Sequence, residues 1–168
     1  TDLWRLVENG NVPRIIFMGQ ALKKGDRLEP DLAAYNFKCD PTASRNIFMF
    51  QDRIPFAFVT KQMAYKFPLK KKHFEALGDT GHPVGKFLKE HAFASFEAFK
   101  NNVPELYNRV YKGTDNMSYC YDPLTLLAVK HPNLFTFENF GKHRIGVDLE
   151  AGTLTNLLIQ TLMQGFTK

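Results

Sequence analysis

Short, continuously apolar runs are the clearest feature of the hydrophobic pattern. Arg14–Met18 places two isoleucines, a phenylalanine and a methionine in a row, and Pro55–Thr60 is similarly apolar. Such runs are typical of strands that are covered on both faces in a parallel sheet. Leu134–Phe137 and Arg144–Leu149 have the same apolar, aromatic and β-branched character, so we predict strands there as well.

Helical periodicity and helix-start signals account for most of the remaining chain. Asp40 followed by Pro41 is an acidic cap before a proline in the first helical position. The polar segment Gln20–Pro30 is predicted to be a loop, and Asp31–Cys39 fits no single pattern. The segments predicted to be helical are Thr1–Asn9, the stretch after Asp40, Lys61–Phe67 (a short helix or turn), Pro68–Leu77, His82–Asn102, the stretch after Pro104, the stretch after Asp122 and Leu154–Phe166.

This order of helices and strands predicts an α/β fold. Ligands of open α/β sheets bind beyond the carboxyl ends of the strands. Gly19 and Thr60 end the two apolar strands, and Asp122 begins a helix. We therefore expect these three residues to lie along one edge of the domain.

The stretch Met117–Phe135 carries the first candidate chemistry. Asp122 precedes Pro123 and a buried-type apolar helix that closes at His131. A carboxylate at this position can cap the helix, or it can hold a cation or a polar substrate. The pattern alone leaves both interpretations open.

Length and composition favour one domain with a substantial core. The chain has 168 residues, of which 44% are hydrophobic and 16 are phenylalanine. No apolar run approaches the roughly 20 residues that cross a bilayer. Cys39 and Cys120 do not form a disulfide framework, so we expect reduced, buried thiols and an intracellular protein, cytoplasmic or in an organelle such as the mitochondrial matrix. Since the sequence starts at Thr1 without a methionine, we expect it to be processed, cut or incomplete.

The charge balance is basic, with a net charge of +5 and a pI of about 9.2. This suits a polyanionic partner, an anionic membrane or a basic compartment. The strongest run, Lys70–His73, lies at the start of a predicted helix and is typical of a solvated face. No RNA-binding motif accompanies it, so nucleic-acid binding is disfavoured.

Several stretches, in order, resemble the later half of the nucleoside hydrolases, of the inosine-uridine-preferring kind. Arg14–Gly19 resembles the family's strand that ends in Met-Gly-Gly, and Thr1–Leu3 resembles the end of its Pro-Leu-Thr-Asn-Leu motif. The other matching stretches are Ala33–Phe37 with Asp40–Ala43 (Ala-Glu-Phe-Asn-Ile…Asp-Pro-Glu-Ala), Tyr121–Leu124 (His-Asp-Pro-Leu) and Val147–Thr155 (Val-Asp-Val-Glu…Gly-x-Leu-Thr).

The resemblance implies a Rossmann-like open sheet of the nucleoside hydrolase type with helices on both faces. Residues 1–168 would form a single, partial domain of that type. The family cleaves the N-glycosidic bond of ribonucleosides. A calcium ion there activates water and binds the ribose hydroxyls. The reaction passes through an oxocarbenium-like transition state.

The resemblance also implies roles for particular residues. Asp122 and the carbonyl of Thr1 match calcium ligands, and Asn36 matches a ribose-contacting asparagine. Met18 matches a methionine that lines the pocket. Asp26 stands, with a two-residue insertion between it and Asn36, where the family has a ribose-binding asparagine.

The sequence also departs from the family at catalytic positions. The amino-terminal Asp-x-Asp-x-x-x-Asp-Asp cluster, which supplies most of the calcium site and the catalytic base, would precede Thr1 and does not occur in the chain. Ala34 replaces the ribose-binding glutamate, and Tyr121 replaces the histidine associated with leaving-group protonation. Gln20 replaces the second glycine of Met-Gly-Gly. The position of Asp122 would then be the remnant of a calcium site.

Three hypotheses about function follow. We prefer a degenerate nucleoside hydrolase, a catalytically inactive pseudoenzyme that serves as a structural or binding subunit of a larger assembly and needs no cofactor. The first alternative is an active calcium-dependent ribonucleoside N-glycosidase whose acid cluster lies on a missing segment or another chain. The second is a basic α/β module that binds a polyanion. The expected partners are other protein chains, and a nucleoside if the protein is active.

Overall fold

The computed structural model describes Gly10 and residues 12–165. The helix predicted for Thr1–Asn9 and the calcium-ligand role of Thr1 therefore lie outside the described residues. By its internal contacts the chain forms two compact units. Unit 1 comprises the described residues up to Ala64 together with Tyr121–Leu149, and unit 2 comprises Tyr65–Cys120 with the described residues from Glu150 onward. The prediction that residues 1–168 form one partial domain stays a prediction.

Unit 1 is built on an open sheet of four strands. They are β1 (Ile15–Met18), β4 (Phe56–Val59), β7 (Phe135–Phe140) and β8 (His143–Leu149). Their order across the sheet is β1-β4-β8-β7. The strand β1 pairs in parallel with β4, β4 pairs in parallel with β8, and β7 pairs antiparallel with β8. The predicted α/β fold with an open sheet is thus confirmed.

Aromatic side chains fill the core on one side of β1 and β4. All four residues of β4 are buried, as its continuously apolar sequence predicts. Phe17 stacks on Phe58 with ring centroids 5.2 Å apart and meets Phe56 edge-on at the same distance. Phe48, the last residue of the helix Pro41–Phe48, adds a third ring whose centroid is 5.8 Å from that of Phe17. Such ring pairs stabilise a core beyond the area that they bury.

The helices of unit 1 follow the start signals of the sequence. Asp40 accepts a hydrogen bond from the Ala43 N–H (2.9 Å) and caps a helix with Pro41 in its first turn, which confirms that prediction. The helices are α1 (Tyr35–Cys39), α2 (Pro41–Phe48), α3 (Lys61–Tyr65, which ends at the boundary with unit 2) and α7 (Tyr121–Lys130), with 3₁₀ turns at Met49–Asp52 and Pro132–Leu134.

The loop predicted for Gln20–Pro30 is wrong. This segment forms an antiparallel hairpin of β2 (Ala21–Lys24) and β3 (Arg27–Pro30). Gly25 opens the two-residue turn with φ +61, a conformation that glycine adopts without strain. Leu28 is 1% exposed, so the hairpin is anchored in the core by a single large side chain on β3.

Unit 2 is mostly helical. The helix predicted for Pro68–Leu77 begins later, because Pro68–Lys70 is instead a short strand (β5) that pairs with Asn116–Tyr119 (β6), which was not predicted. Lys71 does begin a helix, as expected for the basic run. The helices are α4 (Lys71–Asp79), α5 (Pro83–Asn102), α6 (Pro104–Val110) and α8 (Ala151–Gly165).

The core of unit 2 forms around three side chains from β5 and α4. Leu69, Phe74 and Leu77 are each less than 9% exposed, as the apolar pattern indicates. Phe93 of α5 packs against them, whereas Phe87 on the same helix is 62% exposed. The phenylalanines of α5 are therefore only partly packed into the core of unit 2.

Among the described residues, no helix combines the length and the apolar character that crossing a membrane requires.

Candidate functional site

A cleft of about 540 Å³ lies at the carboxyl ends of β1 and β4 in unit 1. Gly19, which follows β1, and Lys61, which follows Thr60 at the end of β4, both line it. Asp122 lines it from the start of α7. Gly19 and Asp122 therefore line one cleft, as expected, whereas Thr60 is buried and the next residue, Lys61, lines the cleft in its place. The cleft also contains Met18, Asn36 and Tyr121, so four of the residues singled out by the family resemblance converge here.

Asn36 is tied to the end of β1. Its side-chain nitrogen Nδ2 donates a hydrogen bond to the Met18 carbonyl oxygen over 2.9 Å. An asparagine side chain has two N–H donors and one carbonyl acceptor. One donor is thus used to fix the side chain to the strand, and the amide oxygen and the second N–H can serve a ligand in the cleft.

Asp31 is a cleft residue that the sequence analysis did not identify. It follows β3 and lines the cleft next to Ala33 and Ala34. Its Oδ1 accepts a hydrogen bond from the Ala33 N–H (3.0 Å), and its own N–H donates to the Gln20 carbonyl (3.0 Å). An acid followed by a turn is a recognisable Asx-turn pattern, but such a pattern does not reveal that the carboxylate faces a cavity.

Thr60 fixes the wall of the cleft that carries Lys61. This threonine is 4% exposed, and its hydroxyl donates to the Gly146 carbonyl of β8 (3.0 Å). The same oxygen accepts from the Met63 N–H in the first turn of α3 (3.4 Å). Because Thr60 joins β8 to α3, the position of Lys61 is set by the sheet.

Tyr121 and Asp122 occupy the first turn of α7. The helix begins at Tyr121, slightly earlier than predicted, and is held in unit 1 by Leu124, Leu127 and Ala128, all less than 9% exposed. Asp122 is exposed on the cleft side, where a carboxylate also suits the positive end of a helix. Because the helix begins at Tyr121, Asp122 lies inside the first turn and not at the cap position, so the cap interpretation is wrong and the interpretation as a ligand stays a prediction.

Asp26 does not lie with the other candidates. It occupies the β2–β3 turn beside Gly25, is exposed, and is not among the residues that line the cleft. Thr1 is outside the described residues. Their proposed roles in ribose and calcium binding stay predictions.

The described residues do not make a calcium site by themselves. Calcium takes six to eight oxygen ligands. Within residues 12–165 and Gly10, no group of three or more histidine, cysteine, aspartate or glutamate side chains is placed to hold a metal ion. Asp122 and Asp31 are the carboxylates among the described residues that line this cleft, and two carboxylates do not complete a calcium shell.

The cysteines lie outside the cleft. Burial raises the pKa of Cys120 to about 11, so this thiol is protonated at neutral pH and unsuited to nucleophilic chemistry. Cys39 is exposed and Cys120 is only partly buried, so the expectation of two buried thiols is wrong for Cys39 and met only in part by Cys120. The position of Cys39 at the end of α1, one residue before the capping Asp40, leaves its side chain outside the core.

No protein-family model matches the sequence, and no curated protein matches it either. Solved structures do match the fold. The effector protein XOO4466 superposes with a TM-score of 0.72 at 25% identity, over 95% of this chain and 55% of that one. The type III effector XopQ, crystallised with adenosine diphosphate ribose, gives a TM-score of 0.71 at 24% identity, over 95% and 56% of the two chains.

An enzyme shares the same fold. The purine-preferring ribonucleoside hydrolase from Gardnerella vaginalis matches with a TM-score of 0.60 at 15% identity, over 77% of this chain and 45% of that one. The chain therefore spans only about half the length of the solved structures that it resembles. The comparisons show that it has a partial nucleoside hydrolase-like fold.

Proposed function

We propose that this chain binds a ribose-containing ligand, a nucleoside or an ADP-ribose-like nucleotide, and is a degenerate member of the nucleoside hydrolase family with little or no hydrolytic activity. The observation that carries the proposal is the convergence of Met18, Asn36, Tyr121 and Asp122 on one cleft at the carboxyl ends of the parallel strands. Two of the family's polar positions are retained there, at Asn36 and Asp122, and two are changed, at Ala34 and Tyr121.

The chemistry of the cleft suits a sugar. The Asp122 carboxylate accepts hydrogen bonds from hydroxyl groups, and the Asn36 amide can both donate and accept. Met18 adds an apolar surface for the sugar ring or the base. Lys61 brings a positive charge to the same cleft, which suits the phosphates of a nucleotide.

The comparison with XopQ supports a nucleotide ligand. That protein was crystallised with adenosine diphosphate ribose, and this chain superposes on it over 95% of its length with a TM-score of 0.71. At 24% identity the likeness is one of fold. The choice of ADP-ribose as a test ligand rests on it.

Weak hydrolysis is proposed because the described cleft lacks groups that the reaction needs. Ala34 has no polar side-chain atom for a sugar hydroxyl. Tyr121 stands where the family has a histidine, and a phenol is less suited than an imidazole to proton transfer at neutral pH. The two carboxylates of the cleft fall far short of the ligands that calcium requires.

The test is direct binding of ADP-ribose, adenosine and inosine to the full chain, measured by isothermal titration calorimetry. Asn36→Ala and Asp122→Asn should each weaken binding by about 3- to 30-fold, the loss expected for one hydrogen bond to a sugar. Asp79→Asn, an exposed aspartate of unit 2 paired with Lys89, serves as the control and should bind like the wild-type chain. If none of the three ligands binds to the wild-type chain at millimolar concentration, the proposal is overturned.

A second candidate is an active calcium-dependent N-glycosidase. It is favoured by the position of Asp122 in the cleft and by the fold shared with a ribonucleoside hydrolase. An acid cluster supplied by another segment or another chain would complete the site. Release of ribose from inosine in excess calcium, abolished by EDTA and by Asp122→Asn, would establish this candidate and remove the first.

We also propose that the chain acts as a subunit of a larger assembly, inside the cell. The support is that α5 exposes the apolar side chains of Val84 and Phe87, which are 47% and 62% exposed, and such residues suit contact with another chain. Light scattering on the purified chain tests this proposal, since a monodisperse monomer at all concentrations would count against it.

A further inference from the structure

We propose that Asp31 is a second carboxylate, beside Asp122, that binds ribose hydroxyls in this cleft, in place of the glutamate that is absent at Ala34. The proposal rests on the function proposed above. It assigns the sugar-binding charge to a residue that the family resemblance does not mark.

The backbone of Asp31 is fixed on both sides. Its N–H donates to the Gln20 carbonyl over 3.0 Å, and its carbonyl accepts from the Ala34 N–H over 2.9 Å. The first bond joins the loop after β3 to the segment after β1, and both Asp31 and Gln20 line the cleft. The backbone that carries the carboxylate is therefore held by two hydrogen bonds in a loop that lines the cleft.

The side chain retains capacity for a ligand. Its Oδ1 accepts one hydrogen bond, from the Ala33 N–H (3.0 Å). An ionised carboxylate can accept about four. The hydrogen bond from Ala33 fixes the rotamer of Asp31 and leaves other acceptor positions of the carboxylate for a ligand. A side chain oriented in this way before the ligand arrives suits a binding role.

Asp31 also compensates for a specific loss. Ala33, Ala34, Tyr35 and Asn36 line the cleft consecutively, and Asp31 lines it from the same loop. An alanine at position 34 cannot bind a hydroxyl group, so the loop would otherwise offer only the neutral Asn36 to a sugar. Asp31 supplies a negative charge near the position where the family has one.

The experiment pairs protein variants with ligands that lack one hydroxyl. Adenosine, 2′-deoxyadenosine and 3′-deoxyadenosine are titrated into the wild-type chain, Asp31→Asn, Asp26→Asn and Asp79→Asn. Asparagine keeps the oxygen that accepts from Ala33, so the turn is preserved while the charge is lost. The expected result is a roughly 10- to 100-fold loss of adenosine affinity in Asp31→Asn, with a loss of less than about threefold for at least one deoxy analogue.

A rescue variant separates binding from folding. In the Asp31→Asn background, Ala34→Glu restores a carboxylate on the same loop and should recover at least part of the affinity for adenosine. Thermal melting checks that each variant is folded, and Asp79→Asn should leave all three affinities unchanged.

Different outcomes test different statements. Equal losses for adenosine and both deoxy analogues in Asp31→Asn would assign Asp31 a purely structural role and overturn the inference. Unchanged adenosine binding in Asp31→Asn would do the same, as would a selective loss in Asp26→Asn alone. A wild-type chain that binds neither adenosine nor ADP-ribose would instead overturn the proposed function itself.

Discussion

The side chain of Gln51 hydrogen-bonds both backbone groups of Leu28. Its Oε1 accepts from the Leu28 N–H at 2.8 Å, and its Nε2 donates to the Leu28 carbonyl at 3.1 Å and to the Phe48 carbonyl at 3.0 Å. Gln51 is 4% exposed. A single amide thus acts on β3 as a neighbouring strand would, and it holds the hairpin to the end of α2.

Gln51→Leu should therefore destabilise the protein. The change leaves the buried N–H and carbonyl of Leu28 without the partners that Gln51 supplies, at about 1–3 kcal/mol for each unsatisfied group. Partial access of water reduces the sum, so we expect a loss of about 2–4 kcal/mol in the free energy of unfolding, measured by urea denaturation. The control is Gln62→Leu, an exposed residue bonded to the Gln20 side chain, which should change stability by less than about 0.5 kcal/mol.

His143 should make stability depend on pH. Its Nδ1 accepts from the Phe56 N–H (3.1 Å), and the ring is buried. Burial, and then the nearby Lys142, lower the pKa of His143 below its ordinary value of 6.5, and Asp52 opposes them. The folded state then binds a proton less readily than the unfolded state. The stability that the neutral, buried His143 contributes is fully present above pH 6.5. It is lost as the pH falls from 6.5 through the lowered pKa of the folded state.

Urea denaturation between pH 5 and pH 8 measures how the free energy of unfolding changes with pH. His143→Gln should make this slope smaller. The part that remains is expected from His73, whose pKa is lowered by burial and by Lys72 and Lys70 against the opposing Asp115, and which accepts from the Lys70 N–H. An identical slope in His143→Gln and the wild-type chain would contradict the assignment.

Gly146→Ala should disturb the contact between β8 and α3. A Cβ atom at this position would overlap the Met63 sulfur and lie 2.8 Å from the Phe58 carbonyl oxygen. Met63 is fully buried and cannot move into solvent. We expect a loss of about 1–3 kcal/mol in unfolding free energy. The matched variant Gly152→Ala, in the first turn of α8 with nothing within 4 Å, should be neutral or slightly stabilising.

Lys61→Met should distinguish a nucleotide from a nucleoside ligand. If Lys61 lies near the phosphates, the change weakens ADP-ribose binding by roughly 3- to 10-fold and leaves adenosine binding nearly unchanged. Raising the ionic strength should shrink the difference between the wild-type chain and the variant, because salt screens the attraction. Equal losses for both ligands would show that Lys61 acts through the shape of the cleft.

The strands and capped helices of unit 1 were predictable because their signals are local. A few neighbouring residues are enough to predict the strands β1 and β4 from their apolar runs. The same holds for the helix that begins after the Asp40-Pro41 cap. The α/β fold follows from their order. These elements also place Gly19 and Asp122 around one cleft, as the strand-end argument anticipated, with Lys61 in place of the expected Thr60.

The hairpin was missed because its stability comes from distant residues. Ala21 and Leu28 are its two buried apolar side chains, whereas Leu22 is 48% exposed, so no regular hydrophobic alternation is visible. Gly25-Asp26 was the available turn signal. The bonds that secure β3 come from Gln51, whose role cannot be derived from its own sequence context. The β5–β6 pair was missed for the same reason, since Pro68–Lys70 pairs with Asn116–Tyr119, far along the chain.

The candidate site was predictable only in part. The family resemblance singled out Met18, Asn36 and Asp122, and the fold brings them together. It also singled out Asp26, which the hairpin turn carries away from the cleft. Asp31 could not be found in this way, because its position depends on where β3 ends.

The division of unit 1 into two chain segments has a consequence for biosynthesis. The strands β1 and β4 leave the ribosome before Tyr65–Cys120, and β8 emerges only afterwards. Until then the fully apolar β4 has no partner on its second edge, and a nascent chain with such an edge is prone to aggregate or to recruit chaperones. The cleft itself cannot exist before Asp122 has been synthesised, so ligand can assist only the last stages of folding.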